Sequence, residues 1–212
     1  MFTSEPADVV VLDYGAGNIR SVVRALERAG ARVTISDNPD RALSAQGLVV
    51  PGVGAFASVM QGLSDISALE VIRQRHEQGL PLLGICVGLQ VFFTTGTEHG
   101  ISVAGIGLWP GEITVLDARI RPLMGWLPIE PDPGMCMFEG VEKERFYFVH
   151  SFAAHTSPEN SRVAWGKYDT PFIAAVEDKA TWAVQFHPEK SGDAGAVLFQ
   201  RWITQAVLRR GQ

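Results

Sequence analysis

The chain has 212 residues, 46% of them apolar and 19% charged, which is enough for one well-buried core and a single domain over residues 1–212. Its net charge is −5 and it has no block of basic residues, so the electrostatic footprint of a nucleic-acid binder is missing; small molecules or proteins are the expected partners. The segment Met1 to Asp8 is polar and acidic, and Val9–Leu12 is far too short for a signal or membrane span, so a cytoplasmic protein with no membrane partner is expected. The two cysteines, Cys86 and Cys136, are expected to stay unpaired, because a cytosolic chain of this size neither needs nor usually keeps a disulfide.

Val9 to Leu12 reads as a first buried strand, ending in the glycine-rich turn Asp13-Tyr14-Gly15-Ala16-Gly17-Asn18. A helix follows, with Asn18 as its N-cap, an apolar stripe of Ile19, Val22, Val23 and Leu26, and Gly30 at its C-terminal end. The third glycine of a dinucleotide fingerprint would fall at Arg20, so NAD binding is set aside, and neither a cofactor nor a metal is expected. Ala31–Ile35 and Gly47–Val50 are further short strands, the second running into Pro51-Gly52-Val53-Gly54. Short strands alternating with helices predict an α/β fold: a doubly wound, mostly parallel sheet with helices on both faces and a small antiparallel extension. In such a sheet the ligand site lies at the carboxyl ends of the strands.

Leu63, Ile66, Leu69 and Ile72 predict one helix over Leu63–Gln78, stopped by Gly79. Pro81-Leu82-Leu83-Gly84-Ile85 then reads as a buried strand, and Val87–Thr95 as the helix behind it, with Cys86 at the junction. Gly84 and Gly88 flank Cys86 at two residues on either side, which permits the tight turn that presents a nucleophile at a strand tip. The helix N-terminus behind the sulfur would favour thiolate. A buried structural cysteine is the plain alternative. Pro51-Gly52-Val53-Gly54 belongs to the same sheet edge, so a glycine-flanked N–H there is a candidate to stabilise an oxyanion near Cys86; an ordinary turn would have the same composition.

From Ile101 to Ile129, Gly and Pro among short apolar pieces predict small strands and loops, partly antiparallel. Phe146–Phe152 is β-prone and aromatic, and Phe172–Val176 with Thr181–Gln185 reads as a hairpin around Glu177-Asp178-Lys179-Ala180. Its second arm runs into Phe186-His187-Pro188-Glu189-Lys190-Ser191, where Pro188 stiffens the turn between His187 and Glu189. A last helix from about Gly195 shows Leu198, Phe199, Trp202, Ile203 and Ala206 on one face.

A cysteine nucleophile needs a base, and the base needs an acceptor that fixes its tautomer. Cys86, His187 and Glu189 satisfy this by residue type. Of the five histidines, His76, His99 and His155 read as solvent-exposed and His150 is left open, so His187 is favoured over the structural alternative by its strand-end position.

Gly84-Ile85-Cys86-Val87-Gly88-Leu89-Gln90 together with Phe186-His187-Pro188-Glu189 resembles the class I, triad-type glutamine amidotransferases over nearly the whole chain. Within that family, Asp13–Asn18, Pro51–Phe56, Tyr147–Ser151 and His187–Gly192 are similar to the glutaminase subunits of imidazole glycerol phosphate synthases. The resemblance implies a nucleophile at Cys86, a base at His187 and its orienting carboxylate at Glu189. It further implies oxyanion donors at Val87 and in Gly52-Val53, and glutamine contacts around Gly54, Gln90, Ser151 and Phe152. The implied partner is a (β/α)8-barrel cyclase in a heterodimer, met by a face with Asn18, Trp126, Tyr147 and Lys190. Such a pair makes imidazole glycerol phosphate and AICAR in histidine biosynthesis. One segment departs: Pro122-Leu123-Met124-Gly125-Trp126-Leu127 stands where the family usually shows Pro-His-Met-Gly-Trp-Asn, which bears on loop packing, partner contact and signalling between sites. The rival readings are a glutaminase serving another synthase and a non-catalytic docking subunit of the same fold.

Overall fold

A computed structural model describes residues 5–15 and 19–207 of the chain. Asn18, expected as helix cap and partner contact, lies outside the described residues, as does the side chain of Ala206.

The apolar runs form the expected parallel strands. β1 (Ala7–Leu12), β2 (Ala31–Ser36) and β3 (Gly47–Gly52) are joined through α1 (Ile19–Arg28) and α2 (Pro39–Ser44), and β3 leads through α3 (Phe56–Asp65) and α4 (Ala68–Glu77) to β4 (Leu82–Cys86). Val9–Leu12, Leu48–Val50 and Leu82-Leu83 are buried on both sides, which is why they read as unbroken apolar stretches rather than alternating ones. Among the described residues, nine strands make one sheet in the order β2-β1-β3-β4-β13-β12-β11-β8-β9. Its parallel half ends at β13 (Thr181–Val184). β12 (Thr170–Asp178), β11 (Arg162–Tyr168), β8 (Leu123–Pro131) and β9 (Arg145–His150) continue it antiparallel, a longer extension than the sequence suggested. A second sheet has the order β10-β7-β5-β6, from β5 (Phe93–Glu98), β6 (Ile101–Ala104), β7 (Trp109–Val115) and β10 (Phe152–Ala154). No described helix is long and apolar enough to cross a membrane.

Ile19, Val22, Ala25 and Leu26 are the buried stripe of α1, which packs with α6 (Gly192–Arg201). Gly30, at φ +99°, ends that turn in the left-handed region. The predicted hairpin is present, with Asp178 opposite Thr181 across Lys179-Ala180. Sequence reading passed over α2, although Asn38 caps it by accepting from the Asp40 and Arg41 N–H groups and Pro39 starts it.

Two helix expectations are corrected. The single helix over Leu63–Gln78 is two helices, α3 beginning already at Phe56 and α4 at Ala68, because Ser67 takes φ +56° and breaks the ladder between them. The helix over Val87–Thr95 is one turn only, α5 (Val87–Gln90), and the chain then passes into β5. The Val91 and Phe92 carbonyls accept from the Ile106 and Leu108 N–H groups, so the bonds that would have continued the helix go to a distant segment. Arg75 fastens the base of the elbow strand: its buried guanidinium donates to the Ala42, Leu43, Ala45 and Pro81 carbonyls, tying the end of α2 and the loop after it to the residue before β4.

Candidate active site

Sheet order builds the site. β4 lies between β3 and β13, all three parallel, so Cys86, the Pro51–Gly54 segment and the chain leaving Val184 converge at one carboxyl edge. Gly52 is the register partner of Cys86. Cys86 is 4% exposed and takes φ +55°, ψ −111°, a strained conformation for a non-glycine residue. Close packing holds it there: a Cβ on Gly88 would sit 2.0 Å from the Val50 carbonyl oxygen, and one on Gly84 would sit 2.8 Å from the Gly88 oxygen. With α5 reduced to a single turn, the expected helix dipole is small. The charge facing the sulfur comes from His187 instead.

His187 follows β13 by three residues and is fixed through its main chain as well as its ring. Its N–H donates to the Tyr147 carbonyl at 2.9 Å. The Ser191 hydroxyl donates to the His187 carbonyl at 2.7 Å and accepts from the Tyr147 N–H at 3.0 Å, closing the turn Pro188–Lys190. In the ring, Nδ1 lies 2.8 Å from Glu189 Oε1, and the two side chains are 4% and 2% exposed. Nε2 is therefore the nitrogen left for Cys86. Burial works against the imidazolium, but the interactions with Cys86 and Glu189 outweigh it and raise the His187 pKa to about 9.

A pocket of about 270 Å³ opens beside these groups, lined by Val53, Gly54, Cys86, Val87, Gln90, Glu98, Ser151, Phe152, His187 and Lys190, with Val149 and His150. That is just under the roughly 300–1,000 Å³ of drug-sized sites and suits an amino acid. Apart from His187, Glu98 and Lys190 give its lining one charge of each sign, matching the two ends of a zwitterion. All four residues expected to contact glutamine are on its wall. Val87 and Val53 line it too, whereas Gly52 is packed behind, where a Cβ would meet the Gly88 nitrogen at 2.3 Å. The Gln90 amide donates to the Phe152 carbonyl and to Gln185 Oε1, so its N–H groups are occupied.

Sequence reasoning missed Gln185, whose Nε2 lies 3.7 Å from the Cys86 sulfur, and Glu98. A buried glutamine two residues before His187 was the available signal for the first. His150 is resolved as a buried neutral ring: burial, and then the His187 charge, lower its pKa to about 4 despite the bond from Nδ1 to the Phe152 carbonyl. His76 is not free on a surface helix as expected but half-buried, with Nδ1 2.9 Å from Thr181 Oγ1. His99 is exposed and His155 half-buried. Cys86 and Cys136 are both free thiols.

The departing segment is strand β8, not a loop. Leu123 is buried opposite His150, and Leu127 packs half-buried against the core, while Met124 and Trp126 face outward. Trp126 is 48% exposed and meets the Tyr147 ring edge-on at 5.9 Å; Lys190 Nζ stands 6.0 Å from the same ring. Three of the four expected partner contacts therefore adjoin one another beside the pocket.

Residues 10–205 match the family described as "Glutamine amidotransferase class-I". The chain is a class I glutamine amidotransferase. It is 51% identical to the imidazole glycerol phosphate synthase subunit HisH of Renibacterium salmoninarum, over 93% of this chain and 94% of the relative. Identity to the HisH subunit of Corynebacterium glutamicum is 50%, covering 92% and 97%. The chain thus belongs with the HisH subunits of that synthase. Its fold is shared with a solved glutamine amidotransferase at TM-score 0.73 and 18% identity, covering 93% of this chain and 98% of that one. The structure of PurLQS from Thermotoga maritima shares the fold at TM-score 0.73 and 19% identity, covering 95% and 99%.

Proposed function

We propose that this chain hydrolyses L-glutamine to glutamate and ammonia with Cys86, His187 and Glu189, as a single domain over residues 1–212. The observation carrying this reading is His187 bound through Nδ1 to Glu189 and sharing with Cys86 the wall of a pocket of amino-acid size. The Cys86 thiolate attacks the side-chain amide carbon of glutamine. The tetrahedral oxyanion takes hydrogen bonds from the Val87 N–H and from an N–H of Gly52-Val53. His187 gives its proton to the departing nitrogen, so ammonia leaves and a thioester remains. Water, deprotonated by His187, attacks the thioester and releases glutamate. Glu189 holds the imidazole and its charge throughout.

Ammonia is nucleophilic only while unprotonated, so it profits from a protected route to its acceptor. We assign that acceptor to a (β/α)8-barrel cyclase, docked as a heterodimer on the face with Trp126, Tyr147 and Lys190. The cyclase makes imidazole glycerol phosphate and AICAR in histidine biosynthesis, in the cytoplasm. What supports this is the half-identity to HisH subunits over nearly the full chain and the exposed aromatic face adjoining the pocket.

Glutamate release from glutamine, measured with and without the barrel subunit and its ligand, tests the reading. Release that depends on Cys86 and rises in the liganded complex is expected. If a glutamine-like electrophile fails to label Cys86 and no glutamate forms in the complex, the chain is a docking subunit and not a glutaminase.

A further inference from the structure

Tyr14 follows β1 at the carboxyl edge of the sheet, and its hydroxyl donates to the Pro51 carbonyl on neighbouring β3. Pro51 has no N–H, so that carbonyl is its only main-chain polar group. The Pro51 C=O and the Gly52 N–H share one planar peptide unit, and Gly52 is the register partner of Cys86. Fixing the carbonyl therefore fixes the peptide plane that enters Gly52, from which the Gly52-Val53 peptide departs. Gly52 is still in register with Cys86 and packed against Val87 and Gly88, so the orientation of that plane carries into the Gly52-Val53 peptide; the backbone turns only beyond it, at Gly54 with φ +91°.

Tyr14 is itself held from behind. Gly62 of α3 lies so close that a Cβ there would stand 2.6 Å from the Tyr14 carbonyl oxygen and 2.8 Å from its ring Cδ2. Burial, and then the charge of nearby Cys86, raise the phenol's pKa, so it remains a donor at any working pH. The reaction scheme above has no part for this side chain.

We propose that Tyr14 is a positioning residue for glutamine hydrolysis: by holding the Pro51 carbonyl it aims the Gly52-Val53 peptide at the oxyanion that forms on Cys86. Tyr14 touches no reacting atom. The role rests on the glutaminase reading given above.

Tyr14→Phe removes only the hydroxyl and is tested in the complex with the barrel subunit. One lost hydrogen bond predicts a fall in kcat of about tenfold, short of the roughly 10²–10³ for deleting an oxyanion donor outright. The KM for glutamine should stay within about twofold, because the bond orients the backbone and does not hold substrate. Alkylation of Cys86 by a haloacetamide separates positioning from general damage: that displacement forms no tetrahedral oxyanion, so its rate should not change. Synthesis from added ammonium salt should not change either. A kcat within about twofold of the unsubstituted complex overturns the inference, as does a loss of kcat matched by an equal loss of alkylation. If the unsubstituted complex releases no glutamate, the glutaminase reading falls and the role falls with it; normal turnover unaffected by Tyr14→Phe removes the role alone.

Discussion

His187 Nδ1 lies 2.8 Å from Glu189 Oε1, with Pro188 alone between them in the chain. This short-range clamp has a pH signature. The folded-state pKa of His187 is raised from 6.5 to about 9, so the stability it contributes is fully present below about pH 6.5 and is lost as pH rises through 9. His150 runs the other way: its pKa is lowered to about 4, so its contribution is complete above 6.5 and is lost as pH falls toward 4. Denaturant midpoints measured against pH should therefore fall off on both sides of about 6.5. His187→Gln should flatten the alkaline limb and His150→Gln should reduce the slope of the acid limb. Unaltered limbs in both variants would refute the assignment of these two protons.

Cys86→Ala should abolish glutamine-dependent synthesis by the proposed complex while synthesis from ammonium salt persists, because the cyclase partner keeps its own chemistry. Rates with the two nitrogen sources, measured side by side, check this. Equal loss of both would mean that Cys86 supports the fold and not the reaction.

The isolated chain should be a poor glutaminase. Val53 lies between two glycines on the pocket wall, and if its N–H is turned toward the oxyanion only in the liganded complex, the lone subunit lacks one donor and runs about 10²–10³ slower. Single-turnover glutamate release from the free and assembled chain measures the gap. Equal rates would show that the oxyanion segment is already set in the free subunit.

Leu123 and Leu127 stand where the resemblance implies polar residues, and in β8 they point inward, Leu123 with 3% exposure. Leu123→His with Leu127→Asn should destabilise the chain by about 2–5 kcal/mol, from lost apolar burial and polar groups without partners. Partner affinity should stay within about tenfold, since the outward face is formed by Met124 and Trp126. Equilibrium unfolding and a partner titration read the two effects separately; unchanged stability with weakened docking would reverse this account.

Sequence alone determined the features that depend on neighbouring residues. Unbroken apolar runs marked the doubly buried strands β1, β3 and β4, and the hairpin at Lys179-Ala180 followed from its two β-prone arms. Gly84 and Gly88 around Cys86, and Pro188 between His187 and Glu189, signalled a strained cysteine at the strand tip and a clamped imidazole, because each device lies within a few residues of the group it serves. Tertiary structure alone decided whatever depends on partners remote in sequence. The helix after Cys86 stops at one turn because Ile106 and Leu108 take the Val91 and Phe92 carbonyls. Gln185 reaches the sulfur only because β13 lies beside β4, and Tyr14 reaches Pro51 only because β1 lies beside β3. Local periodicity carries no record of such hydrogen bonds; their donors and acceptors meet only after the strands have been ordered into a sheet.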